Sequence, residues 1–164
     1  MEEGKIMRKR SKYRPKPVIL DTINYVISGM KPMTDLKSIL TTLQLKNHLA
    51  LEALRTGKAV KDDIDTLISV LNMCEALSKL KIGETYADEI KLAQDAIYEC
   101  ARRGAHNYHF IAKGPELKAI NFAMELHDAQ LEASTVKDVE LASDIVMKAI
   151  INKTARPIVE REKV

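Results

Sequence analysis

The side chains with the clearest chemistry are the basic residues near the start of the chain. Seven of the 26 Lys and Arg residues lie between Lys5 and Lys16, and only Glu2 and Glu3 oppose them within the first 17 residues. Residues 1–17, the basic arm, therefore carry a net charge of +5, whereas the other 147 residues carry 19 basic and 21 acidic side chains. Because a dense positive segment attracts phosphate, this distribution predicts a polyanionic partner.

Nucleic acid is the first hypothesis for that partner. The repeated prolines Pro15 and Pro17 disfavour a helix, so we expect an extended arm that follows a groove or a single strand. Tyr13 offers a ring on which a base can stack. No DNA- or RNA-reading motif occurs in the rest of the chain, so the contact would be non-specific. The candidate nucleic-acid-binding residues are Arg8, Lys9, Arg10, Lys12, Tyr13, Arg14 and Lys16.

A second hypothesis assigns the arm to a protein partner. A charged segment can order on the acidic patch of another protein, and the sequence does not separate this reading from nucleic-acid binding.

Cysteine and histidine residues provide weak candidates for a metal site. Cys100, His106 and His109 form a permissible set of zinc ligands, but their spacing matches no standard zinc motif and a fourth ligand is missing. We therefore predict no metal site here. Cys74 and Cys100 are too few for a disulfide framework, so we expect two reduced, half-buried thiols.

The pair His127-Asp128 resembles the dyad of the helical HD phosphohydrolases, in which His and Asp residues from several helices hold a metal ion and phosphate esters are attacked. Two further ligands would be needed. One would be an upstream histidine (His48, His106 or His109), and the other would be the downstream aspartate Asp144. His127 falls on an apolar helical stripe, where a histidine is more often a hydrogen-bonded core residue. A metal-dependent hydrolase is therefore kept only as an alternative.

Asn47 is expected to face the core from the middle of a long helix. It lies seven residues after Leu40 and seven before Leu54, and one buried polar residue often fixes the register of packed helices. Pairing of Asn47 with His127 would form a buried polar network, and we prefer this structural interpretation to a functional one.

Six helices must position these side chains, because apolar residues recur at spacings of three and four. Gly29 is expected just after the first helix, Thr34 or Asp35 as the cap of the second, and Thr135 as the first residue of a capping box. The predicted helices cover residues 20–28, 34–56, 61–80, 85–103, 115–133 and 135–152, and Gly57 is expected to end the second. Residues 104–114 show no helical period and are expected to be irregular, with a short extended piece at 108–112. The apolar stripes expected to face the core include Ile23, Ile27, Ile39, Tyr86 and Leu141. The sequence thus predicts an all-α fold, a compact bundle of about six helices with an extended basic N-terminal arm.

The composition limits the class of protein. With 164 residues, 46% of them hydrophobic, the chain is long enough for one domain, which we place at residues 18–152, before a charged tail at 153–164. No apolar run approaches a transmembrane span, and Asp21 interrupts the only candidate signal segment, so we expect a cytoplasmic protein with no membrane partner. No nucleophile motif or Gly-rich phosphate loop is present, so we expect neither an enzyme nor a cofactor.

Several segments together resemble small uncharacterised proteins encoded by tailed bacteriophages and prophages. The resemblance is carried by Arg8-Lys-Arg-Ser-Lys-Tyr-Arg-Pro-Lys16, Leu45-Lys-Asn-His48, Ala101-Arg-Arg-Gly104, Gly114-Pro-Glu-Leu117 and His127-Asp-Ala-Gln-Leu131. It implies an accessory role in the cytoplasm of an infected bacterial cell, and no functional residue is transferred. We therefore expect a non-enzymatic binding protein that could self-associate into a homo-oligomer. The alternative is a protein that docks on a host or phage protein.

Overall fold

The computed structural model describes residues 22–107 and 109–155, and this part of the chain is all-α, as predicted. Two 3-10 turns, Met33–Asp35 and Glu84–Tyr86, precede the second and fourth helices, and the only β-type pairing among the described residues is an isolated bridge between Pro32 and Thr135. The helices are α1 (Thr22–Gly29), α2 (Lys37–Arg55), α3 (Lys61–Lys79), α4 (Ala87–Gly104), α5 (Gly114–Ala133) and α6 (Val136–Ile151).

Helix α3 lies at the centre of the bundle and packs against α2, α4, α5 and α6. Its side chains Leu67, Leu71, Cys74 and Leu77 are fully buried, because apolar residues occupy more than one face of this helix. One core cluster joins α3 to α2, α4, α5 and Phe110, and a second joins α3 to α2, α5 and α6. The burial of α3 thus brings α2 and α5 together on one side of the bundle.

Two of the predicted helix ends are wrong. The second helix begins at Lys37 with Leu36 at the cap position, because Thr34 and Asp35 belong to the 3-10 turn before it. Gly29 is the last residue of α1 and does not have a positive φ, since the helical hydrogen bonds continue through Met30.

Other predicted helix ends agree with the structure. Thr135 and Asp138 form the capping box, in which the Thr135 hydroxyl accepts a hydrogen bond from the Asp138 amide. Gly57, with a φ of 69°, follows the end of α2, a left-handed conformation that glycine adopts without steric cost.

Some apolar residues predicted to be buried are exposed instead. Ile23 and Ile27 of α1, Ile39 of α2 and Leu141 of α6 each expose at least two fifths of their surface, and so does Tyr86 before α4. Helices at the rim are covered on one side only, so part of each apolar stripe has no neighbour to pack against.

The connection between α4 and α5 is irregular, as predicted, and is fixed by one ion pair. Arg103 donates hydrogen bonds to both carboxylate oxygens of Glu116, at 2.9 and 2.6 Å, and a third to the Ile111 carbonyl oxygen at 3.1 Å. These hydrogen bonds from Arg103 lower the pKa of Glu116 below its ordinary value. Residues 109–112, part of the stretch 108–112 predicted as a short extended piece, belong to no strand, and Tyr108 lies outside the described residues.

Both cysteines are fully buried rather than half-buried. They are free thiols, and burial raises the pKa of Cys74 to about 12 and that of Cys100 to about 11. None of the described helices combines the length and hydropathy that a bilayer-crossing segment needs.

We expect Gly104→Ala to lower the free energy of unfolding by about 1–3 kcal/mol, because the added Cβ would overpack the core. That atom would lie 2.3 Å from Cδ1 of the buried Phe110 ring. Urea unfolding followed by circular dichroism measures the change. Gly114→Ala is the matched control, because a Cβ at Gly114 meets nothing within 4 Å and should leave stability unchanged or slightly higher. Equal losses in the two variants would contradict the packing.

We expect Cys74 and Cys100 to resist a disulfide reagent in the folded protein at about pH 8, because the reactive thiolate is scarce and covered. Unfolding in guanidinium should expose both thiols, and each chain should then react twice. Absorbance of the released thiol product measures the difference, and fast labelling of the native protein would refute the burial.

Candidate functional site

The predicted nucleic-acid-binding residues lie outside the described part of the chain. The set comprises Arg8, Lys9, Arg10, Lys12, Tyr13, Arg14 and Lys16. The basic arm therefore stays a prediction from its charge, and the site built below comes from the helical body.

A hydrogen-bonded histidine–aspartate pair joins the middle of α2 to α5. His48 Nε2 lies 2.6 Å from Asp128 Oδ2. The His48 side chain is 41% exposed, whereas that of Asp128 is 24% exposed, so the carboxylate lies further inside. The second carboxylate oxygen, Asp128 Oδ1, is buried and makes no hydrogen bond with another protein atom.

The residues immediately before this pair point into the bundle. Asn47 is 2% exposed and His127 is 3% exposed. Their atoms Asn47 Nδ2 and His127 Nδ1 make no hydrogen bond with other protein groups, so no direct bond between these two atoms forms the predicted network. The hydrogen bond that links the two helices runs instead between their neighbours His48 and Asp128.

Gln130 completes this set of polar residues, the α2–α5 polar cluster (Asn47, His48, His127, Asp128 and Gln130). Its side-chain amide nitrogen Nε2 donates hydrogen bonds to the carbonyl oxygens of Cys74, at 3.1 Å, and Ile82, at 2.7 Å. Gln130 therefore ties α5 to α3 and to the turn that follows α3.

His127 is neutral at physiological pH. Burial lowers its pKa from 6.5 to about 4, while the charge of Asp128 and a polar contact with Gln130 act in the opposite direction. A buried neutral imidazole contributes to packing and is not available as a cation for a phosphate or another anion.

The residues present do not fit an HD-type metal centre. No group of three or more His, Cys, Asp or Glu side chains among the described residues is arranged to hold a metal ion. His106, His109 and Asp144 are exposed, while Cys100 is buried, so the zinc set considered from the sequence is also not brought together.

A shallow groove runs between α2 and the first half of α5, with His48 on its wall. Its volume is about 680 Å³, and its lining is mostly apolar, with Leu45, Leu49, Leu51 and Leu117. No Ser, Thr or Cys of the described residues lines this groove, so the groove itself offers no hydroxyl or thiol nucleophile. The sequence offered His48 as a candidate, but its contact with Asp128 depends on how α2 and α5 pack.

Comparison with known proteins gives no match: no protein-family model, no curated protein and no solved structure is significantly similar to this chain. Function must therefore be argued from the residues themselves.

We expect the protonation of His127 by itself to lower the free energy of unfolding by about 3 kcal/mol as the pH falls from about 6.5 to 4. The pKa of the folded state is depressed, so in this window the unfolded chain binds a proton that the folded protein does not. The contribution of neutral His127 to the free energy of unfolding is complete above pH 6.5, and it is lost as the pH falls towards the pKa of His127 in the folded protein. Urea unfolding at a series of pH values measures it.

The control for the pH dependence between pH 6.5 and pH 4 is a variant that lacks the imidazole of His127. His127→Leu and the more polar His127→Gln should both show a flatter pH dependence than the parent between these two values. Parallel curves for parent and variants would show that His127 titrates normally when folded.

Proposed function

We propose that the protein is a non-enzymatic binding protein whose basic arm contacts the phosphates of nucleic acid. The observation that carries the proposal is the concentration of seven basic residues between Lys5 and Lys16. Lysine and arginine that neutralise phosphates release counterions, which supplies most of the affinity of non-specific binding.

The helical body balances much of its own charge. Among the described residues, six basic side chains form ion pairs with nearby carboxylates, and most of these pairs lie three or four residues apart on the same helix. The pairs are Arg55–Glu52, Lys61–Asp65, Lys79–Glu75, Lys81–Glu84, Arg102–Glu99 and Arg103–Glu116. Exposed pairs add little stability, but they reduce the positive potential of the body, so the arm supports the proposal better than any helix does.

The proposal assigns no catalytic step. The His48–Asp128 pair lacks both a nucleophile in the adjoining groove and a set of metal ligands among the described residues. The bacteriophage setting, the bacterial cytoplasm and docking on a host or phage protein stay predictions from the sequence.

We expect replacement of Arg8, Lys9, Arg10, Lys12 and Arg14 by Ala to abolish most nucleic-acid affinity. For the parent chain, six or seven phosphate contacts predict a loss of roughly a thousandfold in affinity between about 50 and 200 mM salt. For the variant, the slope of log K against log salt should be shallower by about 4 to 5. Fluorescence polarisation with labelled double-stranded DNA measures both quantities.

The matched control removes the same charge from the helical body. Lys37, Lys46, Lys58, Lys118 and Lys148 are all exposed, and their joint replacement by Ala should leave most of the affinity intact. Binding that is insensitive to salt, or equal losses in the two variants, would sink the proposal.

A further inference from the structure

Helix α1 and the residue after it present an apolar surface without a covering partner among the described residues. Each of its five large apolar side chains exposes more than half of its area. Four of these side chains are spaced three or four residues apart and share one side of the helix, whereas Tyr25 lies on the other side. We call the four the α1 apolar surface: Ile23, Val26, Ile27 and Met30.

The position of α1 explains this exposure. Its principal contact is with α6, and neither core cluster contains a residue of α1. Five of the 17 large hydrophobic residues exposed among the described residues belong to this short segment. Soluble proteins rarely leave so many neighbouring apolar side chains in water unless the surface meets a partner.

The basic arm identifies the chemistry of that partner. The arm ends at residue 17 and α1 begins at Thr22, so positive charge and exposed apolar side chains are continuous along the chain. The connecting residues Val18, Ile19 and Leu20 are apolar as well. Nucleic acid offers phosphates to the arm but no apolar layer beside them, whereas an anionic lipid surface offers both at neighbouring depths.

We propose that the basic arm and the α1 apolar surface together bind an anionic lipid surface. The Lys and Arg side chains contact the headgroup phosphates, and α1 lies in the plane of the interface with Ile23, Val26 and Ile27 among the upper acyl chains. Met30 lies on the same side of the helix as these three residues, so it enters the acyl chains with them. Two such signals together give stable association, while either one alone is weak.

This inference goes beyond the proposed function, and it differs from the expectation of no membrane partner. That expectation rested on the absence of a spanning segment, and a helix that lies on the surface needs none.

The first experiment is co-sedimentation of the full-length protein with phospholipid vesicles. Vesicles that contain phosphatidylglycerol should bind the protein at low salt, and vesicles of phosphatidylcholine alone should bind it far less. Ile23→Ser/Val26→Ser/Ile27→Ser should lower the partition coefficient by about tenfold or more, because apolar contacts with the acyl chains are lost. The same variant should keep its affinity for nucleic acid, which depends on the arm.

A matched control tests whether the loss belongs to α1. Ile39→Ser/Leu45→Ser/Leu49→Ser replaces three apolar side chains of α2 that are also more than half exposed, and it should bind vesicles as the parent does. Circular dichroism establishes that both triple variants remain helical. Equal losses in the two variants, or no binding of anionic vesicles by the parent, would overturn the proposal.

A fluorescence experiment reports insertion directly, because the chain contains no tryptophan. Met30→Trp introduces a single reporter on the α1 apolar surface, and its emission should shift to the blue and be quenched by brominated acyl chains. Tyr86→Trp is the control, since Tyr86 packs edge-on against Phe122, with ring centroids 5.8 Å apart, at the start of α4. Vesicle binding with no shift for Met30→Trp would mean that the arm acts alone, and the proposal would then be wrong.

Discussion

The complete burial of α3 is the constraint on which the rest of the structure depends. Leu67, Leu71, Cys74 and Leu77 have no exposed surface, and a helix with apolar side chains on several faces requires neighbours around it. Helices α2, α4, α5 and α6 supply those neighbours, and the two core clusters meet along α3. The short connections between helices follow from this arrangement, as does the tight approach of Phe110 to Gly104 at the end of α4. Helix α1 contributes to neither cluster, which is why its apolar residues remain available for a partner.

The α2–α5 polar cluster is a second consequence of the same packing. Because both helices cover α3, the middle of α2 lies beside α5. Two adjacent polar residues of α2, Asn47 and His48, are there next to two of α5, His127 and Asp128. One residue of each pair, Asn47 and His127, is buried, and the other two, His48 and Asp128, bond nearer the surface. Buried polar atoms cost free energy unless they are paired, so this junction is a costly way to join two helices. Its benefit is specificity, because a shift of α2 along α5 would separate the one strong contact.

The charge of the molecule is divided between two regions. The rest of the chain is close to neutral, with 19 basic and 21 acidic residues, and six of the described basic side chains pair locally, whereas the basic arm carries a large positive excess. The two proposed partners, nucleic acid and an anionic lipid surface, share phosphate as the group that the arm contacts. The apolar residues of α1 distinguish these two, because the lipid surface takes up both the charge and the exposed hydrocarbon, whereas nucleic acid takes up the charge alone.

The sequence alone determined the number and approximate limits of the helices, because apolar spacing, prolines and capping residues are local signals. Thr135 and Gly57 show this, since each acts within a few residues of its own position. Only the tertiary structure decided which apolar stripes are covered: Ile23, Ile27 and Ile39 belong to predicted stripes and yet are exposed. It also decided that His48 contacts Asp128. These residues are 80 positions apart, and the spacing of residues along a helix does not predict such a contact. The physical reason is that a helical pattern fixes the direction of a side chain relative to its own axis, while its neighbour depends on how all the helices share the burial of α3.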